Sequence, residues 1–342
     1  TYMSYADLLS RGGFHLIVLS VLVVAGGFLT SATLGVNAQR KVFRLLSSSI
    51  TATLETRMIR KVLLGVLASI ALIGVALVTV YSFQSGSMRD ALLTGSKVID
   101  TEAGPIGYSL RGDDGPVLLY LHGTPGGYDQ VIIEDQDYRI LTPSRPGYLR
   151  TPLEVGRTPE QQAQAYDSLL DALNIESVIV MGASGGGPSA IEFAAIFTQL
   201  TIALIALEVV TIPSPEEDAF LPPSFVSWLL VSVLNVMPDE ILLETLLPDP
   251  ANQQIALESP EAIAGMKSLF WSLWPTDWRS EGLVNDVSEF SRLSLPVRNV
   301  RAPTLIIHGT ADEDVPYSHA EFLAESIPGA HLHTVEAFSY TH

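Results

Sequence analysis

The chain has 342 residues, of which 47% are hydrophobic and only 16% are charged, so it has enough apolar material for a large core and is not intrinsically disordered. Its 37 acidic and 19 basic residues give a formal charge of −18, which excludes nucleic acid as a partner because polyphosphate would be repelled. The absence of cysteine excludes disulfides, thiolate metal sites and a cysteine nucleophile.

Two long stretches near the N-terminus lack charged residues. Residues 14–36 and residues 62–83 are both apolar and long enough to cross a hydrocarbon layer of about 30 Å. Buried helices of a globular protein are the alternative, but such helices rarely run this far without a polar face. The sequence therefore predicts a membrane hairpin over residues 1–83, with two transmembrane helices.

The connection between the two predicted spans, residues 37–61, carries six basic residues against one acidic residue, Glu55. Basic residues close to a span stay on the cytoplasmic side of the membrane. We therefore expect an integral protein of the bacterial inner membrane whose later residues lie on the periplasmic or extracellular side. The connection itself is interpreted either as a short helix on anionic lipid or as a solvated loop.

The acidity belongs to the rest of the chain. The 7 basic and 2 acidic residues before Gln84 leave 12 basic and 35 acidic residues from there on, a formal charge of −23. Residues 84–96 contain a Ser-Gly-Ser run and have the composition of a linker. The globular domain is accordingly predicted at residues 97–342.

Short apolar runs alternate with helical patterns through this domain, which indicates an α/β fold with a mostly parallel sheet flanked by helices. Residues 211–301 interrupt the alternation, because they contain ten prolines, all four tryptophans and two apolar patterns of helical spacing. They are predicted to form a helical cap over the ligand-binding edge of the sheet. The predicted strands are Lys97–Glu102, Ile106–Arg111, Val117–Leu121, Arg139–Thr142, Ser177–Gly182, Ile202–Val210, Thr304–His308 and His331–Val335.

The strongest chemical signal follows the predicted strand Ser177–Gly182, where the sequence Gly182-Ala183-Ser184-Gly185-Gly186 leads into a helix. In a G-x-S-x-G turn between strand and helix, the positions two before and two after the serine have no room for bulky side chains. The turn presents the hydroxyl at a helix N-terminus, which favours developing negative charge. Ser184 is the predicted nucleophile, and a packing turn with an incidental serine is the alternative.

A second loop, His122-Gly123-Thr124-Pro125-Gly126-Gly127, follows the predicted strand Val117–Leu121. A loop of this shape can aim a backbone N–H at the carbonyl oxygen of a bound ester. The N–H groups of Thr124 and Gly185 are therefore the predicted oxyanion hole, and a plain tight loop is the alternative. His122 precedes the turn and is interpreted as a residue that stabilises the loop.

With these motifs in order, HGTPGG, SRPGY, GASGGGP and LIIHGTADEDVP, the sequence resembles an α/β-hydrolase-fold serine hydrolase over about residues 97–342. The resemblance implies a triad in the chain order serine, acid, histidine. It implies Asp312 as the acid, with Asp314 as the fallback, and His342 as the base after the last strand. Members of the family normally continue into a closing helix, so a base at position 342 implies either a truncated sequence or weak catalysis.

The resemblance implies cleavage of a small ester or related acyl substrate through an acyl-enzyme. No cofactor and no metal are expected, because the sequence contains no metal-ligand cluster, dinucleotide fingerprint or Walker loop. The HGTPGG loop is also similar to that of proline iminopeptidases, which makes aminopeptidase activity a minor alternative. A different hypothesis is a weakly active or inactive accessory subunit of a larger membrane complex, which the membrane hairpin favours. The expected partners are the substrate, the lipid bilayer and, under this second hypothesis, other membrane subunits.

Three smaller expectations concern the cap and the remaining histidines. Arg279 is expected to pair with Asp286, close to the sheet. The tryptophans are interpreted as lining an apolar acyl pocket, as core residues or as contacts with lipid. His319 is expected on a helix surface, and His331 and His333 are expected to pack or face solvent within the last strand.

Overall fold

The computed structural model describes residues 55–131, 137–215, 219–247, 250–312 and 314–336. The predicted first transmembrane helix, most of the basic connection and His342 lie outside the described residues. The chain divides between Gly86 and Ser87 into two units.

Helix α1 spans Glu55–Thr94 and contains the second predicted span. Its stretch Arg60–Thr94 is long and apolar enough to cross a membrane, by length and composition alone. The apolar side chains of residues 62–83 are mostly exposed, and 70% of the surface of Leu72 is exposed. One helix of this kind is thus found in the described residues, where the sequence predicts two in the whole chain.

The predicted linker, residues 84–96, is mostly helical, because α1 continues through it as far as Thr94. Residues 84–94 contain no proline, and Gly86 is followed by good helix formers such as Met88 and Ala91. A helix that is already propagating loses only about 1 kcal/mol at a single glycine, so the Ser-Gly-Ser run does not end it.

The last turn of α1 is part of the second unit. Leu92 is buried, and its carbonyl accepts a hydrogen bond of 2.7 Å from the Tyr128 hydroxyl. The carbonyl of Leu93 accepts one of 3.1 Å from Arg150. These bonds satisfy carbonyl groups that the end of a helix leaves without an intrahelical partner.

In the described residues of the second unit, eight strands form one sheet in the order β1-β2-β4-β3-β5-β6-β7-β8. The pairs β1–β2 and β2–β4 are antiparallel and the other five are parallel, which confirms the predicted mostly parallel sheet. The strands are β1 (Lys97–Thr101), β2 (Gly104–Arg111), β3 (Val117–Leu121), β4 (Arg139–Pro143), β5 (Val178–Ala183), β6 (Thr201–Leu207), β7 (Thr304–Gly309) and β8 (His331–Val335).

Helices flank this sheet and fill the interval between β6 and β7. The helices after α1 are α2 (Pro159–Leu173), α3 (Gly187–Ile196), α4 (Ser224–Val236), α5 (Asp239–Leu246), α6 (Pro250–Leu257), α7 (Pro260–Ser272), α8 (Ser280–Phe290) and α9 (Ser318–Ser326). Helix α2 begins at a capping box, in which the Thr158 side chain accepts the Gln161 N–H and the Gln161 side chain accepts the Thr158 N–H.

The central strands are covered on both faces. Every side chain of β3 is buried, with Leu119 in the main core cluster on one face and Leu118 in a smaller cluster on the other. Because β3, β5, β6 and β7 are parallel neighbours, the loops that follow their carboxyl ends emerge at the same edge of the sheet. That edge receives all the predicted site motifs in the described residues.

Two of the four tryptophans, Trp228 and Trp274, are core residues, with 1% and 0% of their surface exposed. The Trp274 ring N–H donates to the carbonyl of Ser224, which fixes α4 against the segment after α7. For these two residues the interpretation as core packing is therefore correct.

Glu192 on α3 gives a prediction about stability. Burial, with a smaller contribution from the nearby Glu160 carboxylate, raises the pKa of Glu192 from 4.5 to about 7. Below pH 4.5 the group is protonated in both folded and unfolded chains, and between pH 4.5 and 7 the folded chain binds the extra proton. The free energy of unfolding should therefore fall across this interval, by about 1–2 kcal/mol for a group with some access to water.

Replacing Glu192 by glutamine should remove this fall, so that the variant gains stability over the natural chain as pH rises from 5 to 8. Urea unfolding followed by tryptophan fluorescence in mild detergent measures the difference. Glu321→Gln, an exposed glutamate on α9, is the matched control. An equal pH slope in Glu192→Gln and the natural chain would contradict the assignment.

Candidate active site

Ser184 lies at the turn between β5 and α3 and adopts a left-handed backbone conformation, with φ 47°. This conformation is unfavourable for a residue with a Cβ and persists only where the surroundings impose it. A Cβ at Gly182 would lie 2.8 Å from Ala190 Cβ, and one at Gly186 would lie 2.7 Å from the His122 carbonyl oxygen. The predicted exclusion of side chains on both sides of the serine is therefore correct.

The loop after β3 lies directly against this turn. A Cβ at Gly123 would be 3.3 Å from Ser184 Cβ and 3.8 Å from its Oγ, and one at Gly185 would be 2.9 Å from Thr124 Cβ. The structure thus brings Ser184, Thr124 and Gly185 together, as the sequence predicts.

The direction of the Thr124 N–H follows from the carbonyl of the same peptide unit. The Gly123 carbonyl accepts hydrogen bonds from His122 Nδ1 at 2.8 Å and from Arg145 Nη2 at 3.4 Å. This peptide is trans, so the Thr124 N–H points away from those two donors. Within the described residues it donates to no backbone carbonyl outside the regular helices and strands.

A buried ion pair contacts this loop. Its members, Arg145 and Asp286, are joined by two hydrogen bonds. The Asp286 carboxylate also accepts the hydroxyls of Thr124 at 2.5 Å and Tyr148 at 2.6 Å. Burial alone would lower the pKa of Arg145, but the Asp286 charge reverses this and the pKa is raised. Burial, and next Asp286, raise the pKa of Tyr148, so it stays a hydroxyl donor.

The expected pair between Arg279 and Asp286 is wrong. Arg279, which is fully buried, instead binds Asp129 at 2.7 Å and donates to the carbonyl of Gly126. Both arginines therefore hold the loop after β3, one from the loop after β4 and one from the segment before α8. Sequence reasoning missed Arg145. The signal that could have indicated this residue is a basic side chain shortly after a buried strand, in a domain that has few basic residues.

His122 uses both ring nitrogens within this cluster. Nε2 accepts the Arg145 backbone N–H at 2.9 Å, and Nδ1 donates to the Gly123 carbonyl. Burial, and next the Arg145 charge, lower the pKa of His122 well below 6.5, so the ring is neutral. These bonds agree with the interpretation of His122 as a loop-stabilising residue.

Asp312 follows β7 and is 6% exposed. Its Oδ1 accepts the backbone N–H groups of Asp314 and Val315, each at 3.0 Å, which fixes the plane of the carboxylate. Val315 packs in one cluster with Val210, whose N–H donates to the Ser184 carbonyl at 3.1 Å. The turn of the predicted acid is thus connected to the turn of the predicted nucleophile, whereas the side chain of Asp314 is exposed.

The other histidines near this edge are engaged elsewhere. His308 is fully buried, with Nε2 at 2.7 Å from the Val315 carbonyl, and burial lowers its pKa. His319 is buried and not on a helix surface, because its Nδ1 accepts the Thr211 N–H at 2.9 Å from the loop after β6. Among the described residues no imidazole forms a hydrogen bond with Ser184 Oγ, and His342 lies outside them.

Sequence reasoning also missed Glu208, which is 2% exposed and has a left-handed φ of 46°. Its turn ends β6 at Leu207, before the predicted end at Val210. Its Oε1 accepts the Gly309 N–H at 3.1 Å and so joins the ends of β6 and β7 beside the acid turn.

The protein resembles known proteins over the part of the chain that forms this sheet. Residues 116–339 match the family model of the alpha/beta hydrolase fold. An uncharacterized hydrolase, YcgS, from Bacillus subtilis is 31% identical over 252 residues, which are 69% of this chain and 88% of the relative. A putative carbamate hydrolase, RutD, from Stutzerimonas stutzeri is 25% identical over 66% of this chain and 86% of its own.

Solved structures give the same match. An alpha/beta hydrolase fold protein from Nakamurella multipartita superimposes with a TM-score of 0.65 and 27% identity, covering 71% of this chain and 91% of its own. The enol-lactonase from Burkholderia xenovorans has a TM-score of 0.51, covers 72% and 93%, and is 18% identical, which shows a shared fold alone.

Proposed function

The chain belongs to the α/β hydrolase family, and we propose that within it the protein is a serine hydrolase that cleaves an ester or related acyl substrate. One observation carries the proposal: the Ser184 side chain stands on a left-handed strand-to-helix turn, in contact range of the loop that holds the Thr124 N–H. The names of the two relatives, a hydrolase and a putative carbamate hydrolase, are in keeping with it.

In the proposed reaction Ser184 Oγ attacks the acyl carbon while His342 takes its proton. The bond to the leaving group breaks as the imidazolium donates that proton to the leaving-group oxygen or nitrogen, which leaves an acyl-enzyme and a free alcohol or amine. Water then attacks the acyl carbon with His342 again as the base, and the acid product leaves with Ser184 restored. Asp312 orients the imidazole and stabilises its charged form.

The oxyanion of each tetrahedral intermediate would be bound by the N–H groups of Thr124 and Gly185. The Thr124 N–H points away from the donors that hold the Gly123 carbonyl. Gly185 lies in the turn that begins α3, so the helix N-terminus adds a favourable potential for negative charge. Fixed donors of this kind are effective because they need no reorganisation during the reaction.

We further propose that α1 crosses the bilayer and anchors the hydrolase unit on the non-cytoplasmic side. The polar side chains in its apolar stretch support the crossing of the bilayer. Ser69, Thr79 and Ser82 each donate to the carbonyl four residues earlier, at 2.8–2.9 Å. A hydroxyl satisfied within its own helix needs no water.

A fluorophosphonate probe tests the proposal directly, since it phosphonylates only a serine activated for nucleophilic attack. With membranes that contain the full chain, we expect one labelled peptide that maps to Ser184, and we expect the labelled protein to remain in the pellet after alkaline carbonate extraction. Heat-denatured membranes and the Ser168→Ala variant, which changes a half-buried serine on α2, are the controls.

Absence of labelling, or labelling at another serine, would contradict the catalytic proposal. If unlabelled protein also co-purified stoichiometrically with other membrane proteins, the hypothesis of an accessory subunit would replace it. Release of the protein by carbonate would contradict the anchor alone.

A further inference from the structure

We propose that Asp286, a residue of the cap helix α8, is a positioning residue that forms the oxyanion hole through Arg145 and Thr124. The inference rests on the proposed function, because it assigns a task to the hole. It goes further in making the hole depend on a carboxylate that the cap contributes, 162 positions beyond Thr124 in the sequence.

Arg145 and Asp286 balance each other's charge in the interior of the protein. The side chains of Arg145 and Asp286 are 1% and 3% exposed, and they are joined by two hydrogen bonds. A guanidinium that is cut off from water needs such a partner to keep its place, because an isolated buried charge is very costly. Asp286 therefore determines where the Arg145 side chain lies.

The Arg145 side chain also binds the loop after β3. Its Nε donates to the His122 carbonyl at 2.9 Å, and its Nη2 donates to the Thr124 hydroxyl at 2.7 Å and to the Gly123 carbonyl at 3.4 Å. One planar group thus binds three consecutive residues of the loop. Its fork of fixed donors makes this geometry specific in a way that a lysine ammonium does not.

The Thr124 hydroxyl accepts a hydrogen bond from Arg145 and donates its one proton to Asp286 at 2.5 Å. A hydroxyl has a single proton, so this one does not serve the substrate. What remains for the substrate is the backbone N–H, whose direction is fixed because the Gly123 carbonyl is held on the opposite side of the same peptide plane.

The alternative is a purely structural ion pair that stabilises the fold and has no effect on the reaction. Apolar replacement separates the two, because exchanging both members of a buried ion pair for apolar residues often preserves or increases stability. The double variant Arg145→Met/Asp286→Leu leaves no buried unpaired charge, so it should be more stable than Asp286→Asn while leaving the loop without its donors.

The experiment uses the full chain in mild detergent and four variants: Asp286→Asn, Thr124→Val, the double variant and Asp239→Asn. The last is the matched control, since Asp239 is a half-exposed cap carboxylate whose pair with Lys267 does not touch the loop. Three quantities are measured: kcat and KM on an aryl ester, inhibition by an alkyl boronic acid, and hydrogen exchange of residues 122–130.

For Asp286→Asn and Thr124→Val we expect kcat to fall by about 10–10² fold, less than the full loss of an oxyanion donor, with KM changed much less. The affinity for the boronic acid should fall in parallel, and exchange in residues 122–130 should rise. The double variant should have a higher urea midpoint than Asp286→Asn but no higher kcat, and Asp239→Asn should resemble the natural chain.

Unchanged kcat in Thr124→Val, or recovery of both stability and kcat in the double variant, would overturn the inference. If Asp286→Asn does not fold, these two variants still decide. If the natural chain neither reacts with the probe nor hydrolyses esters, the proposed function is wrong. In that case hydrogen exchange is the one measurement that tests whether Asp286 and Arg145 position the loop. Faster exchange in Thr124→Val than in Asp239→Asn supports this positioning role, and equal exchange overturns it.

Discussion

Replacing Ser184 by alanine should lower kcat by about 10⁴-fold or more, the largest loss expected from any single side chain of this protein. Without the hydroxyl no acyl-enzyme forms, and only binding and the oxyanion donors remain to assist attack by water. The alanine retains the Cβ and the turn geometry, so the urea midpoint should change little. Steady-state hydrolysis of an aryl ester, with unfolding measured on the same preparation, gives both quantities.

The matched variant is Ser184→Gly, which removes the Cβ as well as the hydroxyl. Because residue 184 has a φ of 47°, glycine relieves a strain of about 1–2 kcal/mol, and this variant should be inactive and more stable than Ser184→Ala. Turnover by either variant at the natural rate would exclude Ser184 as the nucleophile. Equal stability of the two would show that the turn is not strained.

Replacing Asp312 by asparagine should lower kcat by about 10⁴-fold, whereas Asp314→Asn should leave it nearly unchanged. The asparagine oxygen still accepts the N–H groups of residues 314 and 315, so the turn persists. An amide, however, no longer stabilises the charged imidazole or selects its tautomer. Asp314, whose carboxylate is exposed, contributes only its backbone N–H to the turn, and that group is retained in its variant.

Measurement of kcat against pH for both variants separates this role from a loss of folded protein. The Asp312→Asn profile should lie far below that of the natural chain at every pH, with the fluorophosphonate reaction slowed as well. A large loss in Asp314→Asn together with a small one in Asp312→Asn would transfer the role to Asp314. Equal small losses in both would place the acid elsewhere at this edge of the sheet.

The sequence was sufficient for the parts of the site that depend on local chain geometry. The turn at Ser184 requires small residues at fixed offsets, and a strand followed by G-x-S-x-G has few other folded outcomes. The strands of the sheet were likewise predictable, because buried parallel strands are short apolar runs bounded by turn residues. The capping box at Thr158 is a local signal of the same kind.

Pairings between distant segments could not be predicted in this way. Arg279 is close to Asp286 in the sequence, yet the partner of Asp286 is Arg145, 141 positions away, because the fold and not the sequence distance decides which charges share a buried site. His319 carries no periodic signal that separates a buried imidazole from an exposed one. The Ser-Gly-Ser run before Met88 indicates a linker by composition, but composition does not measure the propagation of a long helix.

The last turn of α1, which is part of the second unit, determines where this protein can be truncated. A soluble fragment that begins at Lys97, the first residue of the sheet, would remove Leu92 from its buried position and leave Tyr128 and Arg150 without the carbonyl groups they bind. It would also remove Arg89, which pairs with Asp277 at 2.7 Å. A fragment for crystallisation or assay should therefore begin no later than Ser87 and retain the final turns of the helix.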